Sequence, residues 1–191
     1  MKKLSIILLA FVLVVACKKG KKDVETTESE VVETEKEVVV KPKKITVALN
    51  AKSGSNVSGN IEFAEVKGKV SMIGTINGLE YGPHAIHIHE SSDCSSDDGK
   101  SAGGHWNPTA QKHGKWGDES GYHKGDIGNF STDKNGSILI TFSTDEWCIG
   151  CGDDTKDILG KSVIVHSGTD DYKSQPSGAA GTRVSCAGII Q

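Results

Sequence analysis

Aromatic side chains make up only 5% of the 191 residues, proline occurs four times, and no segment keeps a helical spacing of apolar residues for long. The longest uncharged apolar run, residues 4–16, is about 13 residues, short of the ~20 that a permanent membrane-spanning helix requires. Histidine is absent from both ends of the chain: all seven lie between His84 and His166. Histidines scattered for structural reasons would not leave the opening strands empty, so the clustering itself points to a site. The net charge is -3, so an anionic substrate cannot rely on global attraction, and nucleic acid is not an expected partner.

The short apolar run follows Lys2 and Lys3 and ends in VVAC, which predicts a processed export signal over residues 1–16. The small Ala16 before Cys17 resembles the lipobox of bacterial lipoproteins, although Val14 stands where leucine is more frequent. That resemblance implies that Cys17 becomes a lipidated N-terminus, anchored to a bacterial membrane on its periplasmic or cell-surface side. Residues 17–44 are rich in Glu, Lys, Thr and Val and poor in aromatics. They bury too little apolar area to offset their ordering entropy and read as a disordered tether. Export also implies an oxidising compartment, where disulfides persist.

Residues 45–191 amount to one domain. Short alternating segments fall at 45–49, 60–66, 69–76, 84–89, 137–142, 162–166 and 183–189. Turn signals such as KGK, NGL and KNG lie between them, with Asn135-Gly136 a strong hairpin mark. The expected fold is an all-β, antiparallel Greek-key barrel or sandwich of about eight strands, with two long loops at 90–136 and 167–182. Loops of that length in a small domain usually carry function.

In HIHE, His87 and His89 alternate along a strand and share one face, about 7 Å apart, within reach of a common ion. His84 has the opposite parity and reads as structural. Downstream, GGHWNPTAQKHGKWGDESGYHKGDIGN spreads His105, His113 and His123 through a glycine-rich loop, with Asp126 after His123. Three imidazoles and a carboxylate form the closed tetrahedral set that zinc accepts. His166 ends the strand-like run SVIVH.

HIHE, GGHWNP, the spaced His113 and His123, GDIGN, VIVH and GTRVSC follow the order that they take in copper/zinc superoxide dismutases, and residues 45–191 resemble that family almost throughout. The resemblance implies copper on His87, His89, His105 and His166, and zinc on His105, His113, His123 and Asp126. His105 would bridge the ions as an imidazolate, stabilised between two cations, and carry a proton during turnover. Asp170 in HSGTDD would orient one ligand of each ion. Arg183 would guide superoxide to copper, whose reduction and reoxidation yield dioxygen and hydrogen peroxide. Lys112, Lys115, Lys124 and Lys173 lie in the long loops as further candidates for steering. Two rival readings are a non-catalytic copper/zinc-binding lipoprotein and a surface interaction module on the same scaffold. Monomer and homodimer stay open.

Cys94, Cys148, Cys151 and Cys186 allow three pairings. The resemblance implies Cys94–Cys186. Cys148 and Cys151 form a CxxC with no helix start behind it and no second CxxC, which favours a local disulfide over free or partner-binding thiols.

Overall fold

The structure, a computed structural model, describes residues 42–191. The expected signal peptide, Cys17 and most of the expected tether lie outside the described residues. Eight strands follow in chain order: β1 (Lys43–Ala51), β2 (Ser58–Val66), β3 (Lys69–Asn77), β4 (Pro83–His89), β5 (Gly128–Ser131), β6 (Ile138–Thr144), β7 (Ser162–His166) and β8 (Arg183–Gly188). They are hydrogen-bonded in the order β5-β4-β7-β8-β1-β2-β3-β6, every pair antiparallel. The chain leaves the β1-β2-β3-β6 half at β4 and returns to it at β6, a Greek-key path that nearly closes a barrel.

Two expectations need correction. β1 begins at Lys43, so the last two residues assigned to the tether are strand, where Lys44 pairs Ala64 and ties its ammonium to Glu62 at 2.8 Å. β5 lies inside the segment read as one long loop. The Asn135-Gly136 turn accordingly links the two ends of the strand row, β5 and β6, and does not join a paired hairpin. A tight hairpin instead joins β2 and β3, in register from Ser58 opposite Asn77 to Val66 opposite Lys69.

Alternation decides what fills the barrel. Ile45, Val47 and Leu49 of β1, Ile61 and Phe63 of β2, Val70, Met72 and Ile76 of β3, and Ile138 and Ile140 of β6 face inward and are buried. In β4 and β7 both faces are buried. Ile86, Ile88, Val163 and Val165 join the barrel core. Their opposite face, carrying His87, His89, Ile164 and His166, is covered by the long loops 90–127 and 167–182, which turns an outer barrel wall into a second, polar interior.

Candidate metal centre

β4 projects His87 and His89 from the same face, their ring centroids 6.4 Å apart. His84, of the other parity, is buried with ring nitrogens 2.9 Å from the carbonyl oxygens of Glu80 and His166, so it serves as a structural tie. The loop after β4 folds back along its end. Glu90 N–H donates to Gly104 O at 3.0 Å and Trp106 N–H to Ile88 O at 2.9 Å, which sets His105 opposite His89. His105 then lies 4.0 Å from His87 and 4.9 Å from His89, ring centre to ring centre. β7 ends beside them, with His166 4.9 Å from His87. On the other side of His105, the rings of His113 and His123 stand at 5.3 and 5.7 Å.

The decisive detail is which nitrogens lack partners. His87 Nδ1, His89 Nε2, His105 Nε2, His113 Nδ1, His123 Nδ1 and His166 Nε2 are all buried without a hydrogen bond. An orphaned buried polar atom is costly, and six together demand an explanation. They fall into two donor sets, His87, His89, His105 and His166, and His105, His113, His123 and Asp126, each with donor atoms within 4.8 Å of one another. In the second set, Asp126 oxygens lie 2.8 Å from His105 Nδ1, 3.0 Å from His113 Nδ1 and 3.3 Å from His123 Nδ1. The last two contacts lack hydrogen-bond alignment, because the nitrogens aim at a common point and not at the carboxylate. A tetrahedral ion with ligands at about 2.0–2.1 Å has edges of about 3.3 Å, so these spacings fit one.

The opposite ring nitrogens are held. Asp170 accepts from His87 Nε2 through Oδ2 and from His113 Nε2 through Oδ1, each at 2.9 Å, so one carboxylate orients a ligand in each set. His89 Nδ1 donates to Gly103 O at 2.9 Å. These bonds fix the tautomers that leave the inner nitrogens free. Burial, reinforced by neighbouring imidazoles, holds the pKa of His89 and His166 well below the ordinary value. Burial likewise lowers His105 to about 4 against the pull of Asp126. Neutral imidazoles are what ligation needs. Burial opposes a charge on His113 as well, but Asp126 and Asp170 outweigh it and push the pKa up to about 9, a proton that a metal ion must displace.

Every nitrogen left unpaired is thus aimed into one of two metal-sized spaces joined by His105. The sequence model of a family described as copper/zinc superoxide dismutase matches residues 57–189. The chain belongs to the copper/zinc superoxide dismutase family.

Membership implies copper and zinc as cofactors, and the two donor sets fit them. Superoxide dismutase [Cu-Zn] 5 of Dictyostelium discoideum is 37% identical over 145 residues, 72% of this chain and 91% of that one. Superoxide dismutase [Cu-Zn] 2 of Aquifex aeolicus is 38% identical over 141 residues, 66% of this chain and 80% of that one. An extracellular superoxide dismutase of Caenorhabditis elegans is 34% identical over 144 residues, 72% of this chain but 63% of the worm protein, under two thirds of its length. Among solved structures, a double mutant of a SOD-like protein from Bacillus subtilis superposes with a TM-score of 0.67 at 31% identity, covering 76% of this chain and 97% of that one. The clock protein EA4 reaches the same TM-score at 33% identity, covering 82% and 100%.

Arg183, at the start of β8, is half-buried and donates from Nη1 to Gly99 O at 2.8 Å. It borders a cleft of about 350 Å³ that also reaches His105, Asn107, Gln111 and Gln175, and among the described residues it is the cation lining that cleft. Of the four lysines raised as steering candidates, Lys124 is ion-paired with Glu146 and so committed elsewhere. Both disulfides are present. Cys94–Cys186 has Cα atoms 5.8 Å apart and spans 92 residues, pinning the loop that leads to His105 onto β8 beside Arg183. Cys148–Cys151 spans three. In the chain-entropy relation the long bridge stabilises by about 4.6 kcal/mol and the short one by about 1.6.

Four residues of the site escaped the sequence reading. Gln175 crosses between the long loops, its Oε1 accepting from His113 N–H and its Nε2 donating to His113 O, both at 2.9 Å. Glu90, present in the motif but given no role, accepts from Gly104 N–H at 2.9 Å and steadies the approach to His105. A Cβ on Gly125 would collide with the Ile88 carbonyl, so only glycine lets the loop before Asp126 lie against β4. Gly178, at φ +66°, covers the Asp170–His113 bond, where a Cβ would fall on the Asp170 carboxylate and 2.6 Å from His113 Nε2.

Proposed function

We propose that the protein is a superoxide dismutase, and the observation that carries this reading is the single imidazole, His105, shared between two complete donor sets. Copper would sit on His87 Nδ1, His89 Nε2, His105 Nε2 and His166 Nε2. Zinc would sit on His105 Nδ1, His113 Nδ1, His123 Nδ1 and Asp126, a closed set that leaves no place for substrate. When bound, copper supplies a one-electron couple through which one superoxide is oxidised to dioxygen and a second is reduced, with two protons, to hydrogen peroxide.

The chain's own residues do the rest. Arg183, fixed through Gly99, points a permanent positive charge into the cleft and gathers a small anion that the net charge of -3 would otherwise repel. Its planar donors hold the anion next to the four-histidine set. His105 is anchored on its Nδ1 side, so its Nε2 can take a proton and return it to the departing product. Asp170 keeps His87 and His113 from turning as that proton moves.

On the same reading residues 1–16 are a signal peptide, Cys17 carries lipid, and the tether holds the catalytic domain, residues 45–191 with the two strand residues before it, off a membrane. The VVAC stretch supports this, and two disulfides suit an oxidising compartment. Resemblance to a relative named extracellular agrees with export.

The test is superoxide removal by the copper- and zinc-loaded protein. Turnover should fall with added salt and slow about tenfold or more in Arg183→Ala, within the range that charge steering covers. Full loading of both ions with no turnover beyond that of free copper would leave the metal-binding, non-catalytic reading in its place.

A further inference from the structure

One pair of sulfurs has no task in this chemistry. Cys148 and Cys151 lie in EWCIGCGD, between β6 and β7, beside Asp157 and in neither of the two histidine donor sets. Their exposure is unequal: Cys148 is buried at 7% while Cys151 is open to solvent. The Cys94–Cys186 bridge is less open: Cys94 is half-buried, and Cys186 is fully enclosed with Ala102 and Ile164. A reductant therefore reaches Cys151 without disturbing the core.

The turn holds its shape without the sulfur–sulfur bond. The Asp157 carboxylate accepts from the backbone N–H groups of Gly150 at 2.9 Å, and of Gly152 and Leu159 at 3.1 Å each. Cys148 exchanges backbone bonds with Lys156 O at 2.8 Å and Ile158 N at 3.1 Å. Ile149 is fully buried, and its N–H donates to Glu65 Oε2 at 2.8 Å. Trp147, 1% exposed, donates its indole N–H to Lys124 O at 2.9 Å. A three-residue bridge constrains the unfolded chain far less than the 92-residue one, and these bonds already hold the native turn, so stability is the weaker reason for the pair. The same bonds would keep two thiols facing each other after reduction.

We propose that Cys148 and Cys151 form a redox-active dithiol/disulfide site, separate from the metal centre, that exchanges electrons with an external dithiol. Cys151 is the sulfur attacked, and Cys148 is the leaving and resolving sulfur. A thiolate of the external dithiol attacks Cys151 Sγ, the Cys148–Cys151 bond breaks, and Cys148 departs as thiolate. The second external thiolate then attacks its own partner's sulfur in the mixed disulfide and frees Cys151. Two electrons have passed to the protein, the two thiol protons of the external dithiol end on Cys148 and Cys151, and the external dithiol has become a disulfide. The surroundings carry both signs: Asp153, Asp154 and Asp157 share the loop with Lys156, Glu146 is paired with Lys124, and Lys43 Nζ donates to Ile149 O at 2.8 Å, so a neutral dithiol suits as partner.

The test uses the full, metal-loaded chain, with dithiothreitol as the neutral dithiol probe. After timed exposure, free thiols are capped with a maleimide and located by peptide mass. Cys148 and Cys151 should be capped together, on the order of tenfold sooner than Cys94 and Cys186, and close again in oxidised dithiothreitol with unchanged circular dichroism. Capping only in denaturant, or release of both bridges at one rate, would overturn the proposal. An aromatic disulfide reagent that releases a coloured thiolate then separates the roles of the two sulfurs. Counted apart from Cys17, reduced wild type should release two equivalents and keep no adduct at Cys148 or Cys151, whereas Cys148→Ser should release one and stay modified at Cys151. A lasting adduct on Cys151 of the wild type refutes the resolving role even where the variant fails to fold.

Discussion

Asp170→Asn separates the two halves of the metal centre, and the structure says which half fails. Asp170 Oδ1 receives two donors, His113 Nε2 at 2.9 Å and the Tyr172 N–H at 2.7 Å, while Oδ2 receives one, His87 Nε2 at 2.9 Å. An asparagine has one acceptor oxygen, which is best placed where two N–H groups converge. Its NH₂ then meets His87 Nε2–H, donor against donor. His87 escapes by moving its proton to Nδ1, the nitrogen that faces the four-histidine set, and loses its lone pair there. Loss of such a partner weakens metal affinity about 10- to 100-fold, or about 1.4 to 2.7 kcal/mol. Competition titrations with chromophoric chelators should show the copper Kd raised by that factor and the zinc Kd changed less than about tenfold. Asp170→Ala should weaken both. Zinc loss equal to or greater than copper loss in Asp170→Asn refutes the reasoning.

Other outcomes follow from the same geometry. Cys186→Ser should lower stability by about 4.6 kcal/mol in denaturant unfolding of the metal-free protein, and a loss under about 1 kcal/mol would mean that the loop is closed by other contacts. Gly178→Ala should raise the zinc Kd about tenfold or more by pushing Asp170 off His113, and an unchanged zinc titration contradicts that placement. The metal-free protein should be most stable near pH 7, where the protons that three histidines refuse balance the one that His113 keeps. Below about 7 and down to about 4, the unfolded chain binds protons that buried His89, His105 and His166 refuse, so stability falls as pH drops. From about 7 up to about 9 the folded chain keeps a proton on His113 that the unfolded chain releases, so stability falls as pH rises. Denaturant midpoints that climb steadily from about 7 to about 9 would contradict the assignment.

The pairing of His87 with His89 was legible because strand alternation is rigid: the two-residue step puts both on one face, and the opposite parity of His84 holds in three dimensions. The separation of the two donor sets was legible only through resemblance, since nothing in spacing tells His105 to turn one nitrogen each way. β5 went unread because GNFS is four residues with a glycine at its head, set within a histidine-rich loop. Gln175 acts on His113 from 62 residues away, a contact that no local pattern encodes. Gly125 and Gly178 work by lacking a side chain, which leaves no signature in a single sequence. Lys124 looked free for steering because Glu146, its partner, lies 22 residues on.

Anomalous diffraction at the copper and zinc absorption edges, from crystals of the protein loaded with Cu(II) and Zn(II), shows whether one imidazole joins two ions. One zinc should lie on His105 Nδ1, His113, His123 and Asp126, and one copper on His105 Nε2, His87, His89 and His166. A copper site without His105, or either ion held outside these donor sets, would contradict the shared bridge.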